Sequence, residues 1–79
     1  MNHVTVFTKD NCMQCKMTKR FLTEHNVSFT EQNTTEKPEL VSYLKDQGFQ
    51  AVPVVESDFS ESFSGFQPGQ LNQLIAKIS

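Results

Sequence analysis

Residues 9 to 17 read K-D-N-C-M-Q-C-K-M and contain both cysteines of this 79-residue chain. The polar letters K-D-N predict a turn, and the apolar residues from Met13 onward recur at helical spacing. Cys12 therefore lies where a turn becomes a helix, and Cys15 lies one helical turn later on the same face. A C-x-x-C in this position can be a metal clip, a structural crosslink or a redox centre, and the rest of the chain has to distinguish among them.

Size and composition narrow the function classes. At this length we expect one domain over residues 1–79, and 37% hydrophobic residues suit a compact globular fold. A formal net charge of −2 offers no basic surface for nucleic acid or anionic lipid, and no apolar run approaches the roughly 20 residues that cross a membrane. Because the N-terminus also lacks a signal-peptide pattern, we expect a cytoplasmic protein with no nucleic acid or membrane partner. Stable structural disulfides are rare in that compartment.

The hydrophobic pattern predicts seven elements in the order β-α-β-α-β-β-α. The predicted strands are residues 2–8, 27–33, 49–56 and 59–63, and the predicted helices are residues 13–25, a helix from Pro38 to a stop at Gly48, and a final helix through Leu71, Leu74, Ile75 and Ile78. A strand–helix–strand start implies a parallel pair with a right-handed crossover, and the short link between the last two strands implies a hairpin. We therefore predict an α/β fold in which three helices flank one mixed four-stranded sheet.

Apolar stripes on the predicted helices are expected to face the sheet. They are Met13, Met17, Phe21 and Leu22 in the first helix, and Leu40, Val41 and Leu44 in the second. We also expect Phe7, Phe29 and Phe49 in the core, and we leave Met13 open between the core and a contact with a partner.

A metal site or a purely structural disulfide explains the two cysteines poorly. Structural zinc takes four ligands, and the two histidines, His3 and His25, lack the spacing of a second ligand pair. An iron–sulfur cluster shared between two chains is the metal alternative, because each chain could contribute two cysteines. A disulfide here closes a loop of only four residues and removes little entropy from the unfolded chain. We therefore expect no resident metal.

The redox interpretation explains why both cysteines lie at a strand-to-helix junction. Unpaired backbone N–H groups and the positive end of the helix dipole stabilise a thiolate at Cys12, and the thiolate is the form that attacks disulfides. From the next helical turn, Cys15 can reach Cys12 and displace whatever is bound to it. We predict a dithiol–disulfide oxidoreductase in which Cys12 attacks and Cys15 resolves.

Four stretches along nearly the whole chain resemble the NrdH-redoxins, a glutaredoxin-like branch of the thioredoxin superfamily. They are V-T-V-F-T-K, C-M-Q-C-K-M-T-K-R, Q-G-F-Q-A-V-P-V-V and S-F-S-G-F-Q-P-G-Q-L. The last stretch discriminates best, because glutaredoxins that use glutathione usually carry a G-G-x-D-like turn there, whose acidic residue holds the tripeptide's amino group. Residues 64–67 of this chain, S-G-F-Q, contain no acid and are similar to the W-S-G-F-R-P stretch of the NrdH-redoxins.

The resemblance implies a function and a set of partners. By this analogy the chain has a thioredoxin-like fold and donates electrons to a disulfide in the large subunit of a class Ib ribonucleotide reductase, and thioredoxin reductase then reduces it again. The chain needs no bound cofactor, because NADPH and FAD belong to the partner reductase, and we expect a monomer. The partner-binding residues that the resemblance implies are Lys9, Met13, Gln14, Val52, Pro53, Ser64, Gly65 and Phe66.

Pro53 interrupts the third predicted strand stretch, residues 49–56, so it has to stand at a strand start or edge. By the resemblance it matches the cis-proline that the thioredoxin fold places before its third strand, against the C-x-x-C. We therefore expect a cis Val52–Pro53 bond and a Val52 backbone that is offered to the incoming peptide. The chain departs from the family at Phe63 and Gln67, where Trp and Arg are usual. Lys9 matches a lysine that glutathione-dependent glutaredoxins use, so a glutaredoxin of that type is the alternative hypothesis. A cluster- or metal-binding module is the second alternative.

Overall fold

The computed structural model describes residues 3–78, and its elements follow the predicted order β-α-β-α-β-β-α. They are β1 (Val4–Thr8), α1 (Met13–Glu24), β2 (Thr30–Asn33), α2 (Glu39–Asp46), β3 (Val54–Ser57), β4 (Phe63–Ser64) and α3 (Pro68–Ile78). The predicted first strand, residues 2–8, begins outside the described residues. The prediction of an α/β thioredoxin-like fold, with three helices and one mixed four-stranded sheet, is confirmed.

The sheet places the end of β1 beside the start of β3. Its strand order is β2-β1-β3-β4, with β1 parallel to β2 and β3 antiparallel to both β1 and β4. Phe7, near the end of β1, pairs with Val54, the first residue of β3. The loop that carries the cysteines therefore leaves the sheet at the same end at which the Val52–Pro53 segment enters it.

Two apolar clusters cover the two faces of the sheet, because alternate strand residues point to opposite faces. The larger cluster lies under α1 and α3 and comprises Val4, Val6, Leu22, Val27, Val55, Phe63, Leu71 and Leu74. The smaller cluster lies under α2 and comprises Phe7, Leu44 and Val54. The helix that carries the cysteines therefore packs on the more extensively covered face.

The core predictions hold for the phenylalanines but not for all of the helix stripes. Phe7 is buried, and Phe29 and Phe49 are half-buried against the two clusters, as expected. Val41 is 40% exposed and Met17 is 42% exposed, so their assignment to the apolar stripes is wrong. In a helix each residue is rotated by about 100° from the last, so these two side chains lie beside the packed face rather than on it.

The strands β2, β3 and β4 are shorter than predicted. β3 begins at Val54 rather than at residue 49, because Pro53 just before it has no N–H to donate to a strand ladder. In β2 and β4, local hydrogen bonds occupy residues that were predicted to lie in the strands. At the predicted start of β2, the Val27 N–H bonds to the Leu22 carbonyl at 2.9 Å, which extends the exit of α1. Asn26 adopts φ 59 there, a left-handed conformation that asparagine tolerates. In the predicted fourth strand, the Phe59 N–H bonds to Ser57 Oγ at 3.3 Å, so this segment forms a turn.

Candidate redox site

Cys12 caps the N-terminus of α1, and its sulfur is joined to that of Cys15 as a disulfide, with Cα atoms 5.2 Å apart. Asn11, just before it, adopts φ 58 and turns the chain from β1 into the helix. The Cys15 N–H points at Cys12 Sγ at a distance of 3.1 Å, and the Lys16 N–H bonds to the Cys12 carbonyl. The predicted start of the helix at the C-x-x-C is thereby confirmed.

The two sulfurs differ in what can reach them. Cys12 is 8% exposed, whereas Cys15 is 1% exposed and lies inside the first turn of α1. Another molecule's sulfur can therefore approach Cys12 with less rearrangement than Cys15. When the disulfide is reduced, a Cys15 N–H held in this direction also favours the thiolate form of Cys12, because a donor to the charged form stabilises it.

A polar groove runs from the disulfide to β2. It is lined by Lys9, Asp10, Asn11, Cys12, Cys15, Lys16, Lys19, Glu31 and Asn33. Glu31 Oε2 accepts hydrogen bonds from Thr8 Oγ1 at 2.7 Å and from Lys19 Nζ at 2.9 Å. These two donors, the Thr8 hydroxyl first, hold the pKa of Glu31 below its ordinary value of 4.5. Lys19 is therefore paired with the Glu31 carboxylate. The exposed Lys9 and Lys16 form no hydrogen bond with Glu31.

We expect the Glu31→Gln variant to be less stable than the parent at neutral pH and equally stable in strong acid. Because the folded pKa of Glu31 lies below its unfolded value, the contribution is fully present above about pH 4.5 and is lost as pH falls through the folded pKa. At neutral pH the parent should be more stable than the variant by no more than about 1 kcal/mol, since this is a surface interaction.

Urea unfolding from about pH 7 down to about pH 2 measures this difference. The matched control is Glu36→Gln, whose carboxylate has no ion pair or side-chain hydrogen bond among residues 3–78. A gap between parent and Glu31→Gln that stays constant across the acid range would contradict the expectation.

The Val52–Pro53 peptide bond is cis, as predicted, and Pro53 is buried beside β4. The Pro53 carbonyl accepts a hydrogen bond from the Gly65 N–H at 2.8 Å, which ties this segment to the turn at residues 64–67. By contrast, the backbone N–H and carbonyl of Val52 have no hydrogen bond within residues 3–78. An extended peptide can therefore pair with Val52 as with the edge of a sheet.

A second groove begins at this Val52 backbone and contains residues that sequence reasoning did not assign to the site. It is lined by Lys9, Thr34, Val41, Leu44, Lys45, Phe49, Gln50, Ala51 and Val52. Lys9 borders both this groove and the one at the disulfide, so the two grooves meet at Lys9. Nothing in the sequence marks this groove, because Val41 fits the predicted apolar stripe of α2 and its 40% exposure is seen only in the structure.

The turn at residues 64–67 packs against the helix with the cysteines. Gln14 Oε1 accepts a hydrogen bond from the Phe66 N–H at 3.2 Å, although 52 positions separate the two residues. Gln67 Nε2 donates to the Ser64 carbonyl at 2.6 Å. Sequence reasoning treated Gln67 only as the loss of a charge, whereas its amide fixes the turn. The available signal was a side-chain amide at the end of a glycine-containing turn, three residues after Ser64.

The predicted site residues differ in their environments. Met13 is 70% exposed, which settles its open assignment in favour of the surface. Gln14 contacts the turn rather than open solvent alone. Phe66 is half-buried and meets Phe21 edge-on at a centroid distance of 6.2 Å. Of these three, only Met13 presents a large apolar side chain to an approaching molecule.

Two further features concern only the described part of the chain, residues 3–78. Nowhere in it do three or more His, Cys, Asp or Glu side chains come together as candidate ligands for a metal ion. None of its helices combines the length and the apolar character that crossing a bilayer requires.

Comparisons with known proteins agree with this geometry. The glutaredoxin family model matches residues 4–58. A glutaredoxin-like protein NrdH from Lactococcus lactis subsp. cremoris is 49% identical over 71 residues, which cover 90% of this chain and 97% of that protein. The corresponding protein from Escherichia coli K12 is 37% identical, with 90% and 86% covered.

A solved structure gives the same result for the fold. The structure of the glutaredoxin-like NrdH-redoxin from Escherichia coli superposes with a TM-score of 0.85 at 36% sequence identity, covering 91% of this chain and 93% of that one. The family-model match spans more than half of the chain, and the relatives are matched over most of their length. The chain therefore belongs to the glutaredoxin family, among its NrdH-type thiol–disulfide oxidoreductases.

Proposed function

We propose that this chain carries electrons from thioredoxin reductase to a disulfide in the large subunit of a class Ib ribonucleotide reductase. The observation that carries the proposal is its similarity to NrdH-redoxin from Escherichia coli, a protein described by its thioredoxin-like activity profile. The turn at residues 64–67 supports it, because no acidic side chain stands there to hold the amino group of glutathione.

The chemistry is a two-step thiol–disulfide exchange. The Cys12 thiolate attacks one sulfur of the substrate disulfide, and the other substrate sulfur leaves as a thiolate that takes up a proton. The Cys15 thiolate then attacks Cys12 Sγ, which releases the second substrate thiol and forms the Cys12–Cys15 disulfide. Two electrons pass to the substrate, and the chain ends in the oxidised state that the structure contains.

The geometry around the disulfide supports each role. Cys12 is the more exposed residue of the pair, and the Cys15 N–H points at its sulfur in the oxidised form. Cys15 is bonded to Cys12 within an intact first turn of α1, so the disulfide that resolution forms fits this helix. The unpaired Val52 backbone can hold the extended segment that carries the substrate disulfide. The exchange itself uses only these protein groups, so the proposal requires no bound cofactor, and NADPH and FAD belong to the partner reductase.

A reconstituted assay tests the proposed electron path. With NADPH, thioredoxin reductase, this chain and a class Ib ribonucleotide reductase, deoxyribonucleotide should form, and omission of any one component should stop it. The control for general reducing power is the insulin disulfide, which the same mixture should also reduce. Reduction of insulin without support of the ribonucleotide reductase would show a general protein-disulfide reductant and contradict the specific assignment.

A glutathione-dependent glutaredoxin is the second candidate, and one observation favours it. Lys9 borders the groove that contains Val52, where its ammonium group can attract a carboxylate. This candidate shares the Cys12 and Cys15 chemistry and differs only in the electron donor. A comparison of the two donors therefore separates it from the first.

A further inference from the structure

Three polar backbone groups of the turn at residues 64–67 are paired within the protein. The Gly65 N–H donates to the Pro53 carbonyl, and the Ser64 carbonyl accepts from Gln67 Nε2. The Phe66 N–H donates to Gln14 Oε1. Donors of this kind, just before the first turn of a helix, are the groups that bind carboxylates. Here the Phe66 N–H is occupied by a neutral carboxamide instead.

The residue that accepts the hydrogen bond of the Phe66 N–H belongs to the redox motif itself. Gln14 lies between Cys12 and Cys15, so its side chain alone connects the Phe66 N–H to the helix that carries the cysteines. A β-carbon placed on Gly65 would be 3.7 Å from Gln14 Oε1, so the carboxamide lies at van der Waals distance from that position. A small thiol bound to Cys12 has to displace Gln14 if its carboxylate is to bind the Phe66 N–H.

We infer that Gln14 is a specificity-determining positioning residue that excludes carboxylate-bearing small thiols by occupying the Phe66 N–H. The inference rests on the proposed function, because it explains why electrons reach Cys12 from a protein donor rather than from glutathione. An extended protein segment uses the Val52 backbone and does not need the Phe66 N–H. Gln14 therefore discriminates between donors without contributing to the exchange chemistry.

The Gln14→Ala variant tests the inference by freeing the Phe66 N–H. Its oxidised form should be reduced by glutathione roughly tenfold faster than the parent, since a hydrogen bond to a charged group changes a binding equilibrium by about that factor. Reduction by thioredoxin reductase should not rise in parallel, so the ratio of the two rates should increase. Gln14→Met, which keeps the length of the side chain and lacks an oxygen acceptor, should show the same change if alanine disturbs the helix.

A binding measurement gives a readout that is independent of turnover. Titration with S-methylglutathione, which cannot exchange, should shift the Phe66 amide resonance in Gln14→Ala and leave it unmoved in the parent. Gln73→Ala is the matched control, because Gln73 is exposed on α3 and no hydrogen bond of its side chain occurs among residues 3–78. That control should behave as the parent in both measurements.

The Gln67→Ala variant separates occupation of a donor from mere loosening of the turn. It frees the Ser64 carbonyl, which cannot bind a carboxylate, so the rate of reduction by glutathione should not increase. An equal gain in Gln67→Ala and Gln14→Ala would overturn the inference, and so would an unchanged ratio of rates in a folded Gln14→Ala. Failure of the proposed function shows elsewhere, as a parent protein that thioredoxin reductase does not reduce.

Discussion

The Cys15→Ser variant is expected to accumulate as a mixed disulfide with its substrate protein, whereas Cys12→Ser should form none and fall to the uncatalysed background. The reason is the difference in access between the two sulfurs, since Cys12 is 8% exposed and Cys15 is 1% exposed. Without Cys15 the second exchange cannot occur, so the intermediate persists. Without Cys12 the remaining thiol is enclosed within the first turn of α1.

Non-reducing electrophoresis and mass spectrometry of the adduct measure this directly. The adduct should contain one molecule of substrate bonded to Cys12, and dithiothreitol should release it. Parent protein under the same conditions should show no lasting adduct, because Cys15 resolves it. Trapping by Cys12→Ser instead would reverse the two assigned roles.

The Leu22→Ala variant is expected to cause a large loss of stability, about 2–5 kcal/mol in the free energy of unfolding. Leu22 is fully buried in α1 and belongs to the cluster that joins this helix to β1, β3 and α3. Its truncation leaves a cavity on the face where the active-site helix packs. Since small domains are stable by only about 5–15 kcal/mol, a large share of the total is at stake.

Urea unfolding followed by circular dichroism measures this loss. The control is Val41→Ala in α2, whose side chain is 40% exposed and should change the free energy of unfolding by only about 0.5 kcal/mol. If Leu22→Ala cost no more than that control, the packing of α1 on the sheet would not be what holds the redox helix in place.

The order of elements and the position of the redox pair could be predicted because their signals are local. The helix periodicity after Met13 and the alternation in β1 lie within single elements. The limits of β2 and β4 could not be predicted in the same way. Val27 is claimed by the exit of α1, and Phe59 by a turn with Ser57, and neither hydrogen bond follows from an apolar pattern.

The site was predictable at the cysteines and less so around them. Hydrophobicity alone placed Val41 in the core, whereas its rotation on a two-turn helix leaves it lining the groove near Val52. The bond from the Phe66 N–H to Gln14 joins residues 52 positions apart, and no local pattern encodes such a contact. Tertiary contacts of this type decide which groups remain free for a ligand.

The most direct test is to reduce the oxidised protein with two donors side by side: NADPH with thioredoxin reductase, and glutathione with glutathione reductase and NADPH. Consumption of NADPH in the presence of a protein disulfide reports both reactions. We expect fast turnover with thioredoxin reductase and slow turnover with glutathione. Fast turnover with glutathione and none with thioredoxin reductase would contradict the proposed electron path and identify a glutathione-dependent glutaredoxin.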